Sequence, residues 1–467
     1  MAKPTCIIIG AGLAGLSAAN YLAKRGWSLT VLESAERVGG RVFSTGFEQS
    51  KHENLVCELG GEWIGDGHTR MKRLCREFGL WPLKPHRFSS MFWPSDGLPT
   101  GRRFRPGQWP FSEKAARGFR KLRRQYWQHK DNKLKMRALD QSDWWTLLGR
   151  NGFTGDELLQ RDLMDSTDFG ESIRLTSAYL AATEYFGDSA TNEMDFKIEG
   201  GNDRLPRAIA KHIEKHHDVR LGAVVRAVKQ SEHGVHVFIK GRKTPFTAEC
   251  CICTAPAHRL LSIHWKPALD RLHLNAARQL QYSRIMKTAV LYANRFWEKA
   301  KPAKEAGFSV FTSRASDFCF DSTFGQPGKM GILCSYSIGD KADDLAAENN
   351  PNNLMKWITE DVVCAVQPKR DVVVAPIDVR PQPWQKETAI GGAYAFYRPG
   401  QWFAVREALA RPHRKRVFFA GEHLSEEAQG FMEGAVETGE ASARLVASMG
   451  RAMSRSGRGM GRTGKRP

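Results

Sequence analysis

The residues of this 467-residue chain most suited to chemistry begin with a spaced glycine set, Gly10-x-Gly12-x-x-Gly15, followed by an acid, Glu33. Gly10 permits a tight turn, Gly12 lets backbone approach a pyrophosphate, and Gly15 lets a helix pack closely on a strand. The first helical turn after it, which includes Ala14, offers free N–H groups and a partial positive charge to phosphates. Glu33 is placed to accept hydrogen bonds from ribose hydroxyls. Lys287 lies inside Ser283–Phe296, SRIMKTAVLYANRF, which is apolar at both parities. A lysine in a buried strand either snorkels to water or has work to do. Cys250-Cys251-x-Cys253 is of metal-ligand type but its spacing matches no standard zinc pattern, whereas His212, His216 and His217, at i, i+4 and i+5, allow a metal reading beside a plainer one. The thiols read as buried strand residues. The imidazoles read as a helix end where the dipole favours them. No metal site is expected.

The elements that position the glycines are short and local. Cys6–Ile9 is an apolar run fit for a buried parallel strand. A helical pattern with Leu13, Leu16, Ala19 and Ala23 near one face runs to about Arg25, Gly26 stops it, and Ser28–Leu32 makes a second strand. Strand, glycine turn, helix, strand and acid together describe dinucleotide binding. Arg37-Val38-Gly39-Gly40-Arg41-Val42 extends the pattern with a second glycine pair and a cation, Arg41, which a nicotinamide site does not need.

With this extension the chain resembles the flavin-dependent amine oxidases, and the resemblance changes the expected dinucleotide to FAD. It rests on spaced segments in family order and covers nearly the whole chain except 85–195 and the basic tail. Cys57–Gly65 repeats glycines beside polar residues, and the resemblance implies that Gly60, Gly61, Glu62 and Trp63 pass the flavin ring. Several L-amino-acid oxidases carry Gly-x-Met-Arg here. Gly-Glu-Trp-Ile is closer to the monoamine-oxidase form. The resemblance also implies that Val225 presents its backbone to the adenine and that Lys287 reaches flavin N5 through a water, assisting the reaction with oxygen. Trp384 precedes the loop Gly391-Gly392-Ala393-Tyr394, where Ala393 replaces the cysteine that mammalian monoamine oxidases bond to flavin, so FAD is expected to be non-covalent. Gly421-Glu422-His423 and Gln429–Ala435 close the resemblance. Glu422 is expected near the ribityl or pyrophosphate, with the turn Phe431, Met432 to Ala435 aiming N–H groups at flavin N1 and O2. Tyr394 and Phe431 match the aromatic pair that sandwiches the substrate amine.

The implied fold is α/β, a Rossmann-like FAD-binding domain interleaved with an α+β substrate-binding domain that carries a helical insertion. Expected boundaries are 1–82, 196–284 and 400–450 for the FAD-binding domain, 83–195 and 285–399 for the substrate-binding domain, and 451–467 for a disordered basic tail. The formal charge of +20 comes largely from that tail and from Gly101–Arg137, which has 13 Lys/Arg against Glu113 and Asp131. Without a nucleic-acid fold signature these read as solvated surface, and no nucleic-acid partner is expected. The nine cysteines fit reduced thiols. No apolar run is long enough to span a membrane, no signal sequence precedes the first strand, and a cytoplasmic homo-oligomer is expected.

The implied reaction is oxidative deamination with O2 as acceptor. Strong basicity disfavours polyamines and favours a carboxylate-bearing substrate, an L-amino acid, over a monoamine. Arg87, Arg174 and Arg398 are candidates for the carboxylate. Three rivals stand beside this reading. They are a monoamine or polyamine oxidase, a carotenoid-type desaturase without support at Lys287 or the aromatic pair, and a flavoprotein that mainly binds partners through its basic surface.

Overall fold

The computed structural model describes residues 3–86, 88–93, 111–187, 194–300, 307–366 and 374–459. The chain forms two compact units. The first is Met1–Gly40, Leu205–Gln279 and Val405–Pro467, and the second is Arg41–Arg204 and Leu280–Ala404. Residues 41–82, 196–204, 280–284 and 400–404, expected with the glycine motif, belong to the second unit.

The first unit is built on a five-stranded parallel sheet in the order Val417–Phe419, Cys250–Cys253, Thr5–Ile9, Ser28–Leu32, Asp218–Arg220. Its central strand is almost wholly buried, as an apolar run in a two-sided parallel sheet must be. The helices Leu13–Ala23 and Met432–Gly459 pack on each other so closely that a Cβ at Gly439 would lie 2.1 Å from the Ala14 carbonyl oxygen. A second sheet runs Phe246–Ala248, Val235–Ile239, Val225–Gln230, His264–Lys266. The expected hairpin Val235–Ile239 with Phe246–Cys253 forms only to Ala248. Cys250–Cys253 leaves for the parallel sheet, where its four residues are all buried. All nine cysteines are free thiols.

The second unit centres on a six-stranded sheet, Pro376–Pro383, Ile285–Tyr292, Gly331–Ile338, Phe318–Asp321, Gly307–Thr312, Phe88–Trp93. Ile285–Tyr292 and Gly331–Ile338 are buried along their full length. Helices Gly339–Ala347 and Pro351–Val366 contribute Ala342, Leu345, Leu354, Ile358 and Val362 to the core with Val290 and Leu333. Within 85–195 the described residues are mainly helical, as expected, but they also supply an unexpected edge strand, Phe88–Trp93, parallel to Gly307–Thr312.

Two other expectations need correction. The helix carrying His212 ends at Glu214 rather than His217, so His216 and His217 fold back on the Ile213 carbonyl beyond it. The last helix runs to Gly459, past the expected end near Ser448, so 451–459 are not a disordered tail, and 460–467 lie outside the described residues. Among the described residues no helix is long and apolar enough to cross a membrane.

Candidate active site

In the first unit the glycine turn has the expected construction. Gly10 takes φ +103°, a left-handed value that side chains resist. A Cβ at Gly15 would fall 2.0 Å from the Gly10 carbonyl oxygen, so helix and strand meet there backbone to backbone. Gly12 differs, because a Cβ there would meet nothing within 4 Å. The helix that starts beside this open space has no side-chain cap and no acid in its first turn, which leaves its N–H groups for an anion. Gly39 donates to the Ala11 carbonyl at 2.9 Å, bringing the second glycine pair alongside. A Cβ at Gly40 would lie 3.4 Å from the Gly12 Cα. The buried Glu33 carboxylate accepts from the backbone of Ala11 (2.7 Å) and Ala35 (2.9 Å) and from Ser34 Oγ (3.1 Å). A carboxylate has about four acceptor positions, so a hydroxyl can still be received. Ala223 N donates to the Glu33 carbonyl at 2.7 Å, which draws the segment before Val225 towards the same acid. Glu422 is buried and accepts from Gly430 N at 3.1 Å, bracing the turn that leads through Phe431 to the helix start at Met432. Ala435 N closes that helix's first turn on the Phe431 carbonyl. The open space at Gly12, the uncapped helix start and the spare acceptor on Glu33 fit the phosphate and ribose of a dinucleotide.

In the second unit the expected ring-facing residues gather around an ion cluster. Gly60 and Gly61 run alongside Arg41, with Gly61 N on the Arg41 carbonyl at 2.9 Å. A Cβ at Gly60 would lie 2.1 Å from that carbonyl oxygen. Arg41 also faces the Tyr282 ring, 5.6 Å from its centroid. Trp384 Nε1 holds the Leu59 carbonyl at 2.7 Å. Glu62 follows, 3% exposed. One of its oxygens takes Lys287 Nζ at 2.6 Å and the other takes Lys197 Nζ at 2.5 Å. Lys287 Nζ also reaches the carbonyls of Gly60 (3.0 Å) and Glu58 (3.4 Å). Lys197 lies over the Trp63 ring, 4.2 Å from its centroid. Asn202 ties the segment from behind, donating to the carbonyls of Gly61 and Glu62.

The electrostatics follow from this packing. Burial pulls the Lys287 ammonium towards neutrality, but the Glu62 carboxylate beside it reverses the effect and holds it charged. Burial likewise pushes Glu62 up, and the two lysines outweigh it and keep the acid ionised. Glu58 makes no ion pair among the described residues, and Lys197 acts on it only weakly. Burial raises its carboxyl to about 7, against the weaker pull of hydrogen bonds from Ser44 and Asn202. A proton held by the folded chain up to about pH 7, and lost by the unfolded chain near 4.5, makes stability fall as pH rises between those values. Glu58→Gln should remove that slope. In denaturant titrations it should gain on the wild type by up to about 3 kcal/mol from pH 4.5 to pH 8.

An aromatic wall joins the cluster to Tyr394. Trp63 packs on Phe320 (centroids 5.9 Å apart), and Tyr336 Oη lies 3.4 Å from Tyr394 Oη. Trp63, Ala393 and Tyr394 pack on one apolar cluster that includes Phe320, Tyr336 and Trp384. Tyr394 Oη donates to the Asp168 carbonyl at 2.6 Å, and the Asp168 carboxyl accepts from Tyr185 Oη at 2.6 Å. Asp168 keeps solvent access, yet the protein around it, together with Glu184 and Asp165, holds its carboxyl up to about 7.

Lys287, Glu62, Trp63, Gly60, Gly61, Trp384 and Tyr394 therefore come together, while Phe431 belongs to the other unit. Of the candidate carboxylate partners, Arg174 is exposed and stacks on Trp145 at 3.7 Å. Arg398 N bonds Gln401 at 3.0 Å, and Arg87 lies outside the described residues. Lys197, Tyr336 and Asp168 were not legible in the sequence. One usable signal existed, because a buried acid such as Glu62, in the glycine-rich run from Leu59 to Ile64, calls for a cation beside it.

A family model described as flavin containing amine oxidoreductase matches residues 13–447. The chain belongs to that family. This flavin amine oxidoreductase is 24% identical to an L-amino acid dehydrogenase of Synechocystis sp. over 94% of each chain. It is 26% identical to a flavin-containing amine oxidase of Oncorhynchus mykiss, covering 94% of this chain and 85% of that one. Its fold matches putrescine oxidase with a TM-score of 0.79 at 22% identity, over 96% of this chain and 99% of that one. It also matches cyclohexylamine oxidase from Brevibacterium oxydans with a TM-score of 0.78 at 21% identity, over 96% and 99%. FAD is the cofactor that family membership implies.

Proposed function

We propose that this flavin amine oxidoreductase deaminates an L-amino acid. The reaction converts the amino acid, O2 and water into the 2-oxo acid, ammonia and hydrogen peroxide. The observation that carries the choice of substrate is the charge of the Glu62 cluster, two ammonium groups on one carboxylate beside the aromatic wall that ends at Tyr394. Such a wall favours a substrate that brings an anionic group and disfavours one that brings only cations.

FAD, when bound, supplies the acceptor for the two electrons. Gly10, Gly12, Ala14, Gly15, Glu33, Gly40 and Arg41 are assigned to its adenine and pyrophosphate side, with Val225 and Glu422. Gly60, Gly61, Trp63, Trp384, Met432 and Ala435 are assigned to its ring side. Tyr394 and Phe431 are assigned the substrate amine. Ala393 offers no thiol, so acid precipitation should leave the flavin in the supernatant and the pellet colourless.

Lys287 is assigned to the reaction with oxygen. Its three N–H groups already face Glu62, Gly60 and Glu58, and the 3.4 Å contact is the one that a water would replace. Lys287→Met should slow reoxidation by about 10²–10³-fold and leave reduction by substrate nearly unchanged, as separated by stopped-flow absorbance. Glu62 then keeps Lys197, so folding should survive.

A second reading, a monoamine or polyamine oxidase, is favoured by Asp168, an accessible carboxyl beside Tyr394 that suits a cationic amine. Oxygen uptake and peroxide release from the twenty L-amino acids, against benzylamine, tyramine and spermidine, decide between them. Activity on amines alone would overturn the amino-acid reading. Turnover with dyes but not with O2 would overturn the oxidase part.

A further inference from the structure

We infer that Lys197 is the group that receives the substrate's carboxylate. This deepens the amino-acid reading above and rests on it. The argument begins with a count of donors and charges. An ammonium has three N–H groups. Those of Lys287 face the Glu62 carboxylate and the carbonyls of Gly60 and Glu58, so all three are engaged and only the 3.4 Å contact to Glu58 is loose enough to give way, to the water assigned above. Lys197 has one hydrogen-bond acceptor among the described residues, the other oxygen of Glu62, and lies on the face of Trp63. It therefore retains donor capacity that the described residues do not meet. The charges point the same way. Glu62 balances one of the two ammonium groups, and the neighbouring Glu58, whose carboxyl burial holds up to about 7, keeps its proton below that pH and adds no full counter-charge.

Below about pH 7 the cluster is thus one anion short in a place with little water, since the Lys197 side chain is 14% exposed and Glu62 1%. A buried cation without its counter-ion is costly, and a carboxylate delivered by the substrate would remove that cost at the moment of binding. The position suits the task. Trp63 carries Lys197 on its face and packs with Tyr394 on the same apolar cluster. The indole also fixes the ammonium sideways, which limits the side-chain entropy lost on binding.

The test uses the FAD-loaded enzyme and an unreactive carboxylate, 3-phenylpropionate, with binding read from the change in flavin absorbance. Lys197→Met should weaken binding at least tenfold, and Lys197→Arg should restore it to within about threefold. Lys197→Met leaves Glu62 and Lys287 as a neutral pair, so it should keep its flavin and its melting temperature, and both are measured beside the binding. Unchanged affinity in Lys197→Met, or no absorbance change in the wild type, overturns the inference. A matched pair, L-phenylalanine and 2-phenylethylamine, supplies the second arm. The variant should raise KM for the acid and not for the amine, whereas an equal rise for both overturns the assignment. A wild type that oxidises only the amine sinks the amino-acid reading itself, and the 3-phenylpropionate titration still reports on Lys197 separately.

Discussion

Replacing Glu62 with glutamine is expected to destabilise the protein by about 3–5 kcal/mol, the cost of leaving a buried charge without its partner. Glu62 is the only carboxylate that Lys287 and Lys197 reach in an ion pair among the described residues. Glutamine fills the same volume, so packing is kept and the effect is electrostatic. Its amide oxygen serves one ammonium, while its NH2 group faces the other, donor against donor. The melting temperature should fall by several degrees. The companion variant makes the result specific. Adding Lys197→Met to Glu62→Gln removes one stranded cation and should recover at least about 1 kcal/mol, a coupling that a double-mutant cycle measures directly. A Glu62→Gln protein within 1 kcal/mol of the wild type would show that the cluster is solvated in solution.

Alanine at Gly12 and at Gly15 should give opposite phenotypes, although the two lie within one turn. At Gly15 the new methyl would sit 2.0 Å from the Gly10 carbonyl oxygen and 3.2 Å from the Ile8 side chain. Backbone on one side and a packed strand on the other leave no easy relaxation. Overpacking of this kind costs about 1–3 kcal/mol or more, so the apoprotein should already be less stable. At Gly12 the methyl meets nothing and φ is −74°, which alanine accepts. The apoprotein should melt within a degree or two of the wild type, and FAD should bind at least tenfold more weakly, about 1.4 kcal/mol. Apoprotein melting and flavin titration separate the two effects. Equal flavin affinity in Gly12→Ala would mean that the open space beside the helix is not where the phosphates approach.

What the sequence made legible is what acts locally. The roles of Gly10, Gly12 and Gly15 depend on neighbours within a few residues, so spacing alone announces them. Lys287 was conspicuous because a charge inside an apolar strand breaks the pattern. Lys197 was not, because its surroundings in sequence are unremarkable and its meaning comes from Glu62, 135 residues away. Asp168 was hidden for the same reason, being one acid in a helical stretch until Tyr394 reaches its carbonyl. Among the elements, Phe88–Trp93 escaped notice because an edge strand is specified by the partner it joins, here Gly307–Thr312. The pairing of Tyr394 with Phe431 still rests on family resemblance.

The order of strands in the first unit has a consequence for biosynthesis. Thr5–Ile9 emerges from the ribosome first, yet one of its two neighbours, Cys250–Cys253, follows some 240 residues later, and the edge strand Val417–Phe419 comes near the end. At about 5–20 residues per second, that first strand waits roughly 10–50 s with one flank unpaired. An apolar strand edge held open for so long is a target for chaperones and for misassociation. Yield in a heterologous host should therefore respond to growth temperature and to co-expressed chaperones more than to any property of the finished enzyme.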